Sequence, residues 1–316
     1  MRKESLVFVT AVGTAATLVG CSHRHPEPTA GDASAATLSS APAPSVVPED
    51  PLAMPSASIA AVVNPDGVPP YSGPTGSVEG MVLVKGPDAP DVPDVSAPLC
   101  RAALDTYGKL FRAGPARADG LKPLADVVVV VIGYEGRGYY IPERDPAARV
   151  TITPSCAYPT RTLAMTFGQW LEVSNDSTQP FGPYLDYVLQ GGAIRIAPPR
   201  QAGEPVKVYP PRAGHFSMRD RLQPYVREDV WVFRHPLHAV TDLAGHFRID
   251  GVPLGPLKVG AELVALGGTG SKAVAEVDVR ENVVQNVEIV LTYEPKPVRA
   301  AVTDAGRGGR HLSPND

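Results

Sequence analysis

The sequence predicts an all-β protein, two β-sandwiches in series behind a long lead-in without regular structure. Three observations carry that expectation. The 316 residues include 35 prolines and 30 glycines, well above ordinary usage, which favours turns over helices. Between residues 76 and 293 the apolar segments are short, mostly alternating, and separated by Gly/Pro turns, the spacing of sandwich strands. Only residues 102–112 show a helical period, so no set of helices is available for parallel crossovers.

The chain divides by composition. Residues 1–20 read as a leader, with basic Arg2 and Lys3 followed by the apolar run 6–19, which is too short for a comfortable membrane span. It ends in Leu18-Val19-Gly20-Cys21. Residues 21–75 hold the anchor and a Pro/Ala/Ser-rich linker with no sustained period, expected to be a disordered stalk. His23 and His25 flank the anchor without a defined site.

Residues 76–86 alternate as a strand closed by Gly86-Pro87. In 102–112, Leu104, Tyr107 and Phe111 share one face, and Gly114-Pro115 ends the segment. The unbroken run 124–132 (LADVVVVVI) predicts a strand buried on both faces. Short strands follow at 150–152, 163–167, 169–174, 184–189, 193–196, 206–209 and 230–233, then around 239–249, 256–264, 273–279 and 287–293. Residues 295–316 are polar and expected to fray.

Three resemblances sharpen this outline. Leu18-Val19-Gly20-Cys21 resembles the bacterial lipobox, which implies cleavage, lipidation (as by palmitate) of Cys21 and anchoring in the membrane; Ser22 resembles the outer-membrane sorting pattern. Cys156-Ala157-Tyr158, the segment 163–167, Gly168-Gln169, Leu171-Glu172-Val173 and Asn175-Asp176 resemble a cupredoxin-like (plastocyanin-like) Greek-key domain over 76–233. Thr241-Asp242-x-x-Gly245-x-Phe247-x-Ile249-x-Gly251-Val252-Pro253-x-Gly255 resembles the smaller carboxypeptidase regulatory-like (transthyretin-like) β-sandwich over 234–294, a module without catalysis. The first strand, 76–86, is also compatible with pairing in the C-terminal sheet, which would make one composite unit.

The cupredoxin resemblance implies a copper site whose ligands are missing. Segment 177–181 after Asn175-Asp176 offers no imidazole, and the expected Cys, His and Met fall near Asp220, Gln223 and Val226. A blue-copper centre needs a thiolate, so no metal and no cofactor is expected. The alternative is copper binding or electron transfer at a relocated site using His215, Met218, His235 and His238. His235, His238, Asp242 and His246 form the one cluster of metal-ligand type, against which stands the reading of His235-Pro236 as a structural corner.

Cys100 and Cys156 are left after the anchor, and outside the cytoplasm a disulfide is the default, with free thiols the alternative. Tyr134, Tyr139, Tyr140, Tyr184 and Tyr187, with Arg137 and Arg195, form a candidate face for a glycan or peptide, or else turn and edge aromatics. A net charge of -4 with both signs interspersed gives no footprint for nucleic acid. No Gly-x-Ser-x-Gly, Walker loop, His-Glu-x-x-His or dinucleotide fingerprint occurs. The expectation is therefore a non-enzymatic envelope lipoprotein at the outer membrane, binding a protein or glycan partner.

Overall fold

The computed structural model describes residues 53–93, 95–186, 188 and 195–295. The leader, Cys21, most of the stalk, Tyr187 and the C-terminal tail lie outside the described residues. In chain order the elements are helix α1 (Ser56–Val63), β1 (Thr75–Lys85), the short helix α2 (Leu104–Tyr107), β2 (Lys122–Pro123), β3 (Val128–Ile132), β4 (Ala147–Ile152), β5 (Thr162–Thr166) and β6 (Trp170–Asn175). They continue with β7 (Pro183–Leu185), β8 (Val206–Val208), β9 (Gly214–Asp220), β10 (Arg227–Phe233), β11 (His238–Val240), β12 (His246–Pro253), β13 (Gly255–Glu262), β14 (Lys272–Val279) and β15 (Val284–Thr292).

The protein is all-β, as expected, with two sandwiches. In the first, the sheet β5-β10-β9-β7 faces β4-β6-β8 across a core that includes Ile152, Met165, Leu171, Val173, Phe216, Met218, Val230 and Val232. In the second, β12-β1-β15 with β2 faces β11-β3-β13-β14 across Val78, Val82, Val129, Val131, Phe247, Ile249, Val259 and Leu291. The period-2 patterns place these residues inward: on β10, Glu228, Val230 and Val232 are buried while Asp229, Trp231 and Phe233 are not.

The chain is not cut cleanly at 233/234. β1 pairs with β12 and β15, and β3 pairs with β11 and β13, so the strands expected in the first domain at 76–86 and 124–132 belong to the second sandwich. The first sandwich, β4–β10, is thus an insertion between two strands of the second. The pairing of β1 in the C-terminal sheet, allowed from the sequence, is the one observed, whereas β3, an unbroken apolar run, carried no sign of the sheet it joins. Parallel pairing also occurs without helices: β1 with β15, β4 with β6 and β5 with β10. The connections pass through strands of the opposite sheet instead.

Close approach requires glycine at several points, Gly80 and Gly245 among them. A Cβ on Gly80 of β1 would lie 1.9 Å from the Val287 carbonyl oxygen of β15. Gly245, at φ 76°, closes the Asp242–His246 turn, where Asp242 Oδ1 accepts from the Ala244 and His246 amides at 2.8 and 2.9 Å.

Two expectations need correction in local detail. Residues 102–112 form a helical turn at 101–103 and α2 rather than one helix, and Leu104 is exposed while Tyr107 and Phe111 are buried. Residues 53–75, expected as part of the disordered stalk, are structured. They form a strap: α1 seats Ile59, Val62 and Val63 against the first core, and Pro70 bridges Tyr140. The apolar spacing in SASIAAVV and the turn Asn64-Pro65-Asp66-Gly67 were the signals, hidden by the surrounding composition.

Cys100 and Cys156 are joined by a disulfide. It fastens the segment before α2 to the β4–β5 connection over the first core, where Ala103 and Tyr107 are also buried.

Candidate functional site

The apex of the first sandwich, where the resemblance would put copper, is held together by hydrogen bonds. Asp220 ends β9, 5% exposed. Its Oδ2 accepts from Gly182 N at 2.8 Å, and its Oδ1 accepts from Leu222 N and Gln223 N, both at 2.9 Å. Burial pushes the Asp220 carboxyl up from its ordinary value, while those three backbone N–H groups pull it down. Gln223 Nε2 donates to the Pro180 carbonyl at 3.0 Å, and Val226 is buried in the core. Asn175 Nδ2 donates to Gln179 O and Ala197 O, and its Oδ1 accepts from Ser177 N and Oγ. Hard oxygens and an amide already bonded to backbone do not fit a soft-ligand copper centre.

The relocated set is likewise dispersed. His215 and Met218 occupy opposite faces of β9: Met218 lies in the core, and His215 Nε2 lies 2.7 Å from Asp229 Oδ1 with its ring 4.7 Å from that of Trp231. His238 Nε2 approaches Thr166 Oγ1 at 3.3 Å, and that hydroxyl donates to Glu143 Oε2 at 2.8 Å. Among the described residues, no three His, Cys, Asp or Glu side chains converge as a metal site. His246 and Asp242 belong to the β11–β12 turn, apart from the His235 corner.

His235 is where the chain leaves the first sandwich for the second. Its Nδ1 accepts from Leu237 N at 3.2 Å, so the neutral ring carries its proton on Nε2. Burial lowers the His235 pKa to about 4, and Glu135 nearby opposes this. His238 is lowered to about 4 by burial and by His235. Both rings are therefore uncharged near neutrality.

His235 opens onto a cleft of about 640 Å³ between the two sandwiches and the strap. Tyr134 meets its ring edge-on at 5.1 Å, Tyr139 stacks near Tyr134 at 6.2 Å, and Tyr71 of the strap lies 4.5 Å from Tyr139. Phe233 and the side chains of Val62, Val63, Val130 and Ile132 supply apolar wall. The strap is pinned over it. Tyr71 N donates to Tyr140 O at 2.8 Å and Tyr140 N to Pro69 O at 3.1 Å, while Asn64 exchanges two 2.9 Å bonds with the Val68 backbone.

The aromatic face expected from the sequence is thus divided. Tyr134, Tyr139 and Tyr140 line the cleft; Tyr184 sits at the apex beneath the Arg221 guanidinium, 4.6 Å from its centroid. Arg137 Nη2 donates to the Pro256 carbonyl at 2.6 Å, and Arg195 also lies near the apex, its carbonyl 3.7 Å from where a Cβ on Gly182 would sit. A second concavity, about 720 Å³, runs over the outer face of β12-β1-β15. Its charges are already paired: Arg248 with Glu79 and Asp250, and Glu288 with Arg117. The junction cleft is the better-built site.

No family model and no curated protein matches the chain. Solved structures to which it is similar include a reduced amicyanin variant, at 21% identity over 28% of this chain and 85% of that one, with a TM-score of 0.22. Others are a purple cupredoxin from Nitrosopumilus maritimus, at 18% identity over 27% and 98% with a TM-score of 0.21, and the copper-containing nitrite reductase of Thermus scotoductus SA-01. The last shares 17% identity over 30% of this chain and 24% of that one, with a TM-score of 0.23. Similarity at this level carries no argument about activity, and the strand pairings themselves define the fold.

Proposed function

We propose that the chain is a non-catalytic binding module of the bacterial envelope, held at the outer membrane through lipidated Cys21 and holding its ligand in the junction cleft. The observation that carries the reading is the cleft itself: a concavity of ligand size, walled by aromatic and aliphatic side chains beneath a pinned strap. The resemblance of segment 156–176 to cupredoxin-like domains and of 241–255 to carboxypeptidase regulatory-like modules supports a framework that presents a site rather than performs chemistry. The bonded-up apex around Asp220 agrees with a role other than electron transfer.

The test is native mass spectrometry of the full-length protein extracted from envelope membranes. The expected spectrum shows the lipid mass on Cys21 and one non-covalent ligand per chain, released on unfolding. A protein that fractionates as soluble, or one that carries neither ligand nor partner, would overturn the reading.

A further inference from the structure

Two hydrogen-bond donors that face the junction cleft have no protein partner among the described residues. His235 and Tyr134 are 7% and 6% exposed, and both line the cavity. His235 spends Nδ1 on Leu237 N, leaving its Nε2–H without an acceptor among the described residues. The Tyr134 hydroxyl is without a hydrogen bond there too; only burial and the nearby Glu135 and Tyr139 act on it. Neither atom is among the fully water-excluded unpaired atoms of the described residues, so both face the cleft, where an acceptor on a ligand can take the place of water.

The rim fixes the charge of that ligand. Glu135, Asp66 and Arg234 all line the cleft, so an anionic head would meet two carboxylates for one guanidinium. A cation would present a donor to an imidazole that is itself a donor. Aromatic faces of Tyr134, Tyr139 and Phe233 suit a flat or apolar body. We propose, building on the binding role above, that the cleft takes an uncharged, largely aromatic or apolar small molecule whose carbonyl-type oxygen accepts from His235 Nε2–H and Tyr134 Oη–H. The strap residues Val62 and Val63 cover its apolar side.

Benzophenone, an uncharged aromatic ketone that labels nearby C–H bonds under light, is the probe. The full-length, membrane-anchored protein is irradiated over a concentration series, and labelled peptides are mapped by mass. Saturable labelling at residues 62–63, 130–134 and 232–235 is expected. Diphenylmethane, which lacks the oxygen and with it both hydrogen bonds, should compete about a hundredfold less well than benzophenone; 4-benzoylbenzoate, which keeps the ketone but brings a carboxylate toward Glu135 and Asp66, should also compete less well. Tyr134→Phe removes only the hydroxyl and should raise the half-saturating concentration about tenfold; His235→Phe should act likewise.

Labelling that never saturates, or that ignores both Tyr134→Phe and the missing carbonyl, would overturn the assignment. If the cleft stays unlabelled while native mass spectrometry still shows a bound ligand, the chemical class is wrong and the binding role stands. If both are negative, both fall.

Discussion

Replacing Glu228 by glutamine should abolish a loss of stability that the wild-type protein suffers as pH rises. Glu228 projects from β10 into the first core, 1% exposed. Its Oε1 accepts from the Tyr107 hydroxyl at 2.5 Å, which in turn accepts from Tyr158 N at 3.2 Å. Its Oε2, the Tyr158 hydroxyl and Arg161 Nε have no partner among the described residues. Burial drives the carboxyl well above its ordinary value of 4.5; the Tyr107 bond lowers it, Asp126 raises it, and Arg161 and Arg112 lower it.

A carboxyl raised in the folded state favours folding while it is protonated. That contribution is complete below the ordinary value of 4.5 and is lost as pH climbs through the raised folded value, with a limiting slope of about 1.4 kcal/mol per pH unit. Glutamine holds the neutral form at the same volume and removes this titration. Urea unfolding of wild type and Glu228→Gln between roughly pH 5 and pH 9 measures the difference. The two should agree at the acidic end, and wild type should fall away as pH rises. Parallel curves, or a variant several kcal/mol weaker at the acidic end, would refute the reasoning and show that Glu228 is ionised against Arg161 or Arg112.

Asp220→Ala leaves three apex amides without their acceptor and should cost about 3 kcal/mol or more, read as a lower melting temperature and faster amide exchange at Gly182, Leu222 and Gln223. Replacing both Cys100 and Cys156 by alanine opens a loop spanning a sequence separation of 56 and should cost about 4 kcal/mol in the chain-entropy model, measured by urea midpoint under oxidising conditions. Gly80→Ala drives a Cβ into the Val287 carbonyl and should cost about 3 kcal/mol, with faster exchange of the β1–β15 amides reporting the broken pairing. The depressed pKa values of His235 and His238, each about 4, give stability that is complete above the ordinary value of 6.5 and declines as pH falls toward 4. His235→Phe should flatten part of that decline in an acid-unfolding series.

The sequence by itself determined the all-β class, because alternation, turn residues and the scarcity of helical period act locally. It also favoured a Cys100–Cys156 disulfide over free thiols, on the expectation of an exported chain, and left no thiolate at Asp220, Gln223 or Val226. The Asp242–Gly245 turn was legible because its hydrogen bonds close within a few residues. Only the tertiary structure decided which sandwich each strand joins: β3 carries no mark of its distant partner β13, and the pairing of β1 in the C-terminal sheet was allowed but left open, since pairing over such separations depends on the whole core.

The same limit hid the site. His235 read as a corner or a metal ligand, and Tyr134 as part of a candidate glycan or peptide face or else as an edge aromatic. That their two donors share one cleft appears only once 235 and 134 meet across the junction. Val62 and Val63 lay in a segment whose composition argued against order, until docking against the first core offset the entropy of fixing it. Local chemistry specified the parts, and long-range packing chose which of them face one cavity.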